Sequence, residues 1–213
     1  MTGIILLAAG GSTRFGSPKQ LAELEGKSLL RRAAETALEA HLGPVNVVLG
    51  ALDQPCREAL AGLPVTILVN AAWKAGMAGS IITGLLPWRG GLLDGVIILL
   101  ADQPGVTASH LRALEQASCS HAIVASRYAG QWGVPAWFSA TKFDDLLMLQ
   151  GEQGAKGIIA REKEVASLDL PSAAFDVDTP DDLVRVAADL RGPKAVTGRA
   201  RKKGGTVWPA TKT

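Results

Sequence analysis

Leu6-Leu7-Ala8-Ala9-Gly10-Gly11-Ser12-Thr13-Arg14-Phe15-Gly16-Ser17-Pro18-Lys19 closes the first apolar run of the chain, which begins at Gly3. A run this short and unbroken reads as a buried strand. It stops at small residues and paired glycines. Two cations follow, Arg14 and Lys19, with Gly16 and Pro18 shaping the turn between them. Backbone stripped of side chains lets peptide N–H groups approach phosphate oxygens, and fixed cations neutralise the charge that remains. A buried strand that opens into such a turn predicts an α/β fold with a triphosphate-sized anion at the strand's carboxyl end.

Two commoner glycine motifs are absent. A P-loop needs Gly, four residues, then Gly-Lys-Ser/Thr. Gly11 and Gly16 have the spacing, but Ser17 and Pro18 stand where Lys and Ser/Thr are required. The dinucleotide fingerprint needs glycines at relative positions one, three and six, and counting from Gly11 the third position is Thr13. A plain strand-to-helix turn would leave Arg14 and Lys19 unexplained.

Working outward, apolar runs predict strands at 4–9, 45–49, 65–69, 96–101 and 122–126. Between them Leu29, Leu30, Ala33, Ala37 and Leu38 give one face of a helix over 28–41. Further helices are expected at 54–61, 77–86 and 107–117, the last with Thr107 as N-cap. Alternation of this kind predicts a parallel sheet covered by helices, with ligands at the strands' carboxyl ends. From about Gly130 the pattern changes. Residues 131–138 read as a turn and a short strand, 139–149 and 154–163 as helices, and 165–170 as a late strand. A final helix opens at Thr179-Pro180, with Thr179 as N-cap and Asp181 and Asp182 in its first turn.

The chain has 213 residues, 47% of them hydrophobic, and a net charge of +2. That sum hides an asymmetry: residues 192–213 carry six cations and no acid, which leaves residues 1–191 at −4. Residues 1–191 are expected to form one domain and 192–213 a basic, disordered tail; its single cluster, Arg201-Lys202-Lys203, argues against a nucleic-acid arm. Cys56 and Cys119 are isolated, as expected of reduced thiols in the cytoplasm. No signal peptide is expected, and no run approaches the roughly 18 apolar residues of a membrane helix. His41, His110 and His121 show neither metal-ligand nor triad spacing.

Asp102 leaves a predicted buried strand just before Gln103-Pro104, which would hold its carboxylate at the sheet edge. A magnesium ion (Mg2+) takes oxygen ligands and often only one or two protein carboxylates. Asp176-Val177-Asp178 offers two more carboxylates. A third element runs from Asn70 to Ser80 and contains Gly76, Met77 and Gly79. A fourth is Gly133-Val134-Pro135-Ala136-Trp137-Phe138, followed by Gly151-Glu152-Gln153-Gly154-Ala155-Lys156.

The opening stretch resembles L-A-A-G-x-S-x-R-x-G-x-x-K, the signature of the nucleotidyltransferases that attach a nucleotide to molybdopterin. Its fixed positions are met at Leu7, Ala8, Ala9, Gly10, Ser12, Arg14, Gly16 and Lys19. The other elements resemble that family's L-x-x-D-Q-P, D-I-D-T-P-E-D-L and N-x-x-W-x-x-G-M-x-x-S. The resemblance implies a Rossmann-like three-layer αβα nucleotidyltransferase fold with a mostly parallel sheet, like the nucleotide-diphospho-sugar transferases. It implies a cytoplasmic enzyme that joins CMP from CTP to the phosphate of molybdopterin and releases pyrophosphate. Arg14, Lys19 and Asp102 would be catalytic. Leu7, Ala8, Ala9, Gly10, Gly11, Ser12, Arg14, Lys19, Asn70, Gly76, Met77 and Ser80 would bind nucleotide, and Asp102 and Asp178 would hold Mg2+. Gln103, Pro104, Gly133, Pro135, Trp137, Gly154, Lys156 and Asp176 would bind the acceptor, with Trp132 and Trp137 available to stack on a pterin ring.

Ala9 stands where guanylyl-transferring relatives tend to carry Gly, which favours CTP over GTP. The family's G-H-P and G-D-x-G-A-R are altered here, with Val134 for His, Glu152 for Asp and Lys156 for Arg. These departures fall on the acceptor side. They leave two alternatives: transfer to another small phosphorylated acceptor, such as a sugar phosphate, or with GTP; and a non-catalytic nucleotide- or cofactor-binding maturation protein. The resemblance also implies transient contact with a molybdoenzyme or its chaperone. It gives no role to a membrane or to nucleic acid.

Overall fold

Ile4, Leu6 and Ala8 face one side of the first strand, β1 (Thr2–Ala8), Ile5 and Leu7 face the other, and all five are buried. A strand covered on both faces needs no polar alternation, which is why the run reads as continuously apolar. The structure, a computed structural model, describes residues 1–11, 15, 18–51, 53–91, 93–174, 176–177 and 179–190. The expected tail at 192–213 lies outside them, as do Ser12, Arg14 and Asp178.

After β1 come β2 (Glu23–Leu24), β3 (Lys27–Ser28), α1 (Leu29–Glu39), β4 (Val45–Leu49), α2 (Asp53–Ala59), β5 (Thr66–Val69), α3 (Met77–Leu85), β6 (Gly95–Leu100) and α4 (Ala108–Gln116). They are followed by β7 (Ile123–Tyr128), β8 (Gln131–Ser139), α5 (Phe143–Leu147), α6 (Lys156–Arg161), β9 (Ala166–Asp169) and α7 (Pro180–Leu190). Seven strands form one sheet in the order β5-β4-β1-β6-β8-β7-β9. The first four are mutually parallel, β8 runs antiparallel to both its neighbours, and β9 is parallel to β7. On one face α1, α2 and α4 share a core with Ile4, Leu6 and Ala8. On the other, α3, α5 and α6 pack over Ile5 and Leu7. This is the expected three-layer α/β fold.

The largest departure from expectation is β8. Residues 131–138 read as a turn and a short strand, yet β8 has nine residues and lies inside the sheet. Ala129 and Gly130 both adopt positive φ, 49° and 74°. They make the tight reversal that folds β8 back along β7, the hairpin geometry that favours glycine. A bulge at Ala125/Ser126 shifts the register beside Gly133 and Pro135. Smaller differences are a β2–β3 hairpin turning at Glu25-Gly26, and a helix expected over 139–149 that divides into a 3-10 turn and the short α5. The expected caps are present. The Thr107 hydroxyl accepts from the His110 N–H (3.3 Å), and Thr179 and Asp182 cap α7 reciprocally. Among the described residues no helix is long and apolar enough to cross a membrane.

Candidate active site

The chain moves outward from β1 to β4 and β5, then returns to the other side of β1 as β6. The β1/β6 boundary is therefore the point where strand order reverses, and ligands in open α/β sheets bind outside the strand ends there. Register fixes what meets at it. Leu7 lies opposite Leu100, and the Ala101 N–H donates to the Leu7 carbonyl (3.2 Å). Residues 9–11 and 101–104 thus leave the sheet side by side. A cleft of about 420 Å³ opens between them, lined on these segments by Leu7, Ala8, Ala9, Gly10, Ala101 and Asp102.

Lys19 and Asp102, 83 positions apart, pair across the cleft with Nζ 2.7 Å from Oδ2. Their side chains are 17% and 23% exposed, so the pair is partly withdrawn from water, where opposite charges attract more strongly. Asp102 Oδ1 is buried and receives no hydrogen bond. A buried carboxylate oxygen without a donor, on a residue that lines the cleft, suits a hard divalent cation, which completes its shell with phosphate and water oxygens. Among the described residues no three His, Cys, Asp or Glu side chains cluster as a metal cage. Gln20 steadies the other wall: its amide nitrogen donates to the carbonyls of Ala8 (3.1 Å) and Gly10.

The segment after β5 forms the roof. Trp73 lies over the glycine turn so closely that a Cβ on Gly11 would come 2.6 Å from its ring. Lys74 Nζ rests 5.6 Å from the centroid of that ring, and both residues line the cleft. Asn70 and Ser80 are buried. Asn70 Nδ2 donates to the Ser80 hydroxyl (3.0 Å) and its Oδ1 accepts from the Ala72 N–H (3.0 Å). Gly76 has φ 117°, and a Cβ there would overlap the Gly151 carbonyl, which accepts from the Ala78 N–H (3.1 Å). Met77 is 42% exposed in the cleft, and a Cβ on Gly154 would meet its sulfur at 2.9 Å. The roof and the 151–154 segment are therefore locked together.

Val177 brings the late acidic segment to the site. It is fully buried with Phe15, Leu24, Leu29 and Val186 in a small core under α7. Its N–H donates to the Asp102 carbonyl (3.1 Å). Asp176 beside it is exposed and accepts from Gln103 Nε2 (3.1 Å).

The expected acceptor residues do not all converge. Trp137 is a correction: it is 4% exposed, and its indole N–H donates to Thr2 Oγ1 (3.2 Å) at the start of β1, the end of the sheet away from the cleft. Its side chain belongs to the core, because alternation along a central strand buries it under α4. Trp132 is exposed near the β7–β8 turn. Pro135 is buried, and its carbonyl accepts from the Ser126 hydroxyl. Gln103 and Pro104 line a separate groove of about 540 Å³ between α1 and the start of α4. Gly133 and Lys156 lie against each other, with Lys156 Cε 3.2 Å from where a Gly133 Cβ would sit. The sequence reading did not select Phe15, Gln20, Trp73, Lys74 and Glu152 as site residues, although all five line the cleft. Trp73 was detectable from its place in the Asn70–Ser80 motif. Lys74 and Gln20 carried no such signal.

A family model described as a MobA-like NTP transferase domain matches residues 4–165. The chain belongs to this nucleotidyltransferase family. It is 30% identical over 202 residues to the purine catabolism protein PucB of Bacillus subtilis, covering 86% of this chain and 95% of the relative. Among solved structures, Rv0371c of Mycobacterium tuberculosis superposes with a TM-score of 0.76 at 29% identity, over 88% of this chain and 97% of that one. Rv0371c is also known in complex with manganese, with a TM-score of 0.74, 29% identity and coverage of 88% and 98%. A molybdopterin-guanine dinucleotide biosynthesis protein A from Archaeoglobus fulgidus shares the fold, with a TM-score of 0.65 at 18% identity over 89% of this chain and 98% of that one. A family of this kind works on a nucleoside triphosphate and a phosphorylated acceptor, and the manganese complex of a relative agrees with a divalent metal.

Proposed function

We propose that this chain transfers the cytidylyl group of CTP to the phosphate of molybdopterin and releases pyrophosphate. The observation that carries the reading is the Lys19–Asp102 pair at the sheet's reversal point, with a buried, donorless oxygen on Asp102. The molybdenum-cofactor acceptor rests on the motif resemblance, and the choice of CTP on Ala9.

An oxygen of the acceptor phosphate attacks the α-phosphorus, and the bond to the β-phosphate oxygen breaks. The nucleophile is already an anion, so no general base is needed, and catalysis is positioning and charge neutralisation. The bare turn at residues 9–11 receives the phosphates, and Lys19 with Arg14 holds the charge that leaves as pyrophosphate. Asp102, with Asp178, would hold Mg2+, which when bound neutralises phosphate oxygens and aligns them. Trp73 and Met77 wall the nucleotide side, and the roof's lock onto residues 151–154 ties that side to the acceptor. Of the acceptor residues, Gly154 meets this arrangement through Met77, and Gln103 with Asp176 meets it beside Asp102. We place the reaction in the cytoplasm, with handover of product to a molybdoenzyme or its chaperone.

A second reading, transfer to a different phosphorylated acceptor, is favoured by Val134. It stands where the resembled motif has His, and it is buried with Ile158 and Ile159 rather than offered to a ligand. The test measures pyrophosphate release by the purified protein with Mg2+, using CTP or GTP against molybdopterin and a panel of sugar 1-phosphates. Release with CTP and molybdopterin alone is expected. Release only with a sugar phosphate supports the second reading, and tight binding of CTP and molybdopterin without release makes the protein a non-catalytic carrier.

A further inference from the structure

The segments of the acceptor side meet at Tyr128, the single tyrosine of the chain. Its hydroxyl donates to the Val134 carbonyl (2.9 Å) and accepts a long hydrogen bond from Gln103 Nε2 (3.4 Å). The same nitrogen of Gln103 donates to Asp176 Oδ1 (3.1 Å). A Cβ on Gly133 would overlap the Tyr128 hydroxyl, so only glycine lets the ring lie there, with Lys156 against the same position. Gln103 follows Asp102 directly, is 2% exposed, and keeps a buried Oε1 that receives no hydrogen bond. One phenol therefore touches the loop of Asp102 through Gln103, the Asp176 segment through the same amide, and the β8 backbone directly.

We propose that Tyr128 is a positioning residue for the acceptor: its hydroxyl fixes Gln103, and with it the Asp102 loop and the Asp176 carboxylate, against the strand carrying Gly133 and Val134. It touches no reacting atom. It sets the spacing between the side that holds the triphosphate and the side that receives the acceptor. Burial raises the Tyr128 pKa, and the carboxylates of Asp176 and Asp102 add to this against the opposing hydrogen bond from Gln103, so the phenol keeps the proton it donates. The orphaned Gln103 oxygen limits what the amide can do. With both donors directed at Tyr128 and Asp176, it has no spare N–H with which to hold a different geometry.

The inference rests on the transfer reaction proposed above, and its test separates the two. With CTP, Mg2+ and molybdopterin, Tyr128→Phe is expected to raise the acceptor KM about tenfold, the scale of one lost buried hydrogen bond. The KM for CTP should stay within about twofold, because the cleft walls do not include this residue. Gln103→Leu should have the same effect, and the double variant no more than either alone, since the two act as one unit. Equal changes in both KM values, or no change in either, overturn the inference. Wild-type protein inert toward molybdopterin would instead count against the proposed acceptor. The Tm values of the same four proteins then decide. A double variant melting no lower than the worse single variant supports the node, and strictly additive losses overturn it.

Discussion

Asp102 combines three properties that rarely coincide in a structural carboxylate: a strand end at the sheet's reversal point, a cationic partner at 2.7 Å, and a buried oxygen with no donor. Asp102→Asn keeps the shape and removes the charge. Its turnover is expected to fall by at least about a hundredfold, the usual cost of losing one fixed charge contact to a transition state. The far-ultraviolet circular dichroism spectrum should be unchanged, because the core beneath is untouched. Near-normal turnover would remove Asp102 from the mechanism. Gly76 makes a different demand. Its φ of 117° and its contact with the Gly151 carbonyl leave no room for a methyl group. Gly76→Ala should cost about 1–3 kcal/mol in urea unfolding. Gly157, with open space around it in α6, is the control. There Gly→Ala should stabilise by about 0.4–1 kcal/mol.

Helix α4 is pinned to the β7–β8 hairpin by a polar chain. His110 Nε2 lies 2.9 Å from the Ser126 hydroxyl, which in turn donates to the Pro135 carbonyl. Burial lowers the His110 pKa below its ordinary 6.5. The folded protein therefore resists a proton that the unfolded chain accepts. Stability from this group is complete above about pH 6.5 and declines as pH falls through the depressed folded value. Thermal melts between about pH 5 and 8 should show Tm falling on the acid side. His110→Gln, which has no such titration, should flatten part of that slope, and an identical slope in the variant would show that other groups cause it. This hairpin is also where the sequence was hardest to read. The strands β1, β4 and β6 were legible because burial on both faces leaves an almost unbroken apolar run. The full length of β8 and its place inside the sheet were not, since Gly133 and Pro135 interrupt the strand propensity of the segment. Its place in the sheet depends on the Ala129-Gly130 reversal and on pairing with β6, which is remote in sequence. The site divides in the same way. Lys19 and Asp102 sit in recognisable motifs that follow β1 and β6, whereas Tyr128, Gln20 and Lys74 acquire their positions only from tertiary packing. Trp137 misled because an aromatic residue in a strand has the same appearance whether it faces a ligand or the core.

The molecule as a whole brings together a glycine turn, an acidic loop and a late acidic segment that are far apart along the chain. Parallel pairing of β1 with β6 supplies the first juxtaposition, and the small core of Phe15, Leu24, Leu29, Val177 and Val186 supplies the second. These contacts are strand pairing and apolar packing within the chain itself. The cleft is therefore preorganised, and ligand binding should appear as added stability rather than as folding. A ligand that binds only the native state stabilises by about 2.7 kcal/mol at a hundred times its Kd. For a protein of this size that corresponds to a Tm rise of roughly 5–10 °C. The proposed Asp102 metal site makes the rise conditional. CTP with Mg2+ should give the full shift, and Mn2+ should substitute for Mg2+. CTP with a chelator should give a small fraction of it, because triphosphate oxygens facing Asp102 without a cation meet a carboxylate of like charge. The chelator alone should leave Tm unchanged, since the core clusters are apolar and include no proposed metal ligand. In Asp102→Asn the shift with CTP should become nearly independent of Mg2+. If the wild-type shift were equally indifferent to the metal, nucleotide would bind without the cation, and Lys19 with Arg14 would carry the triphosphate charge alone.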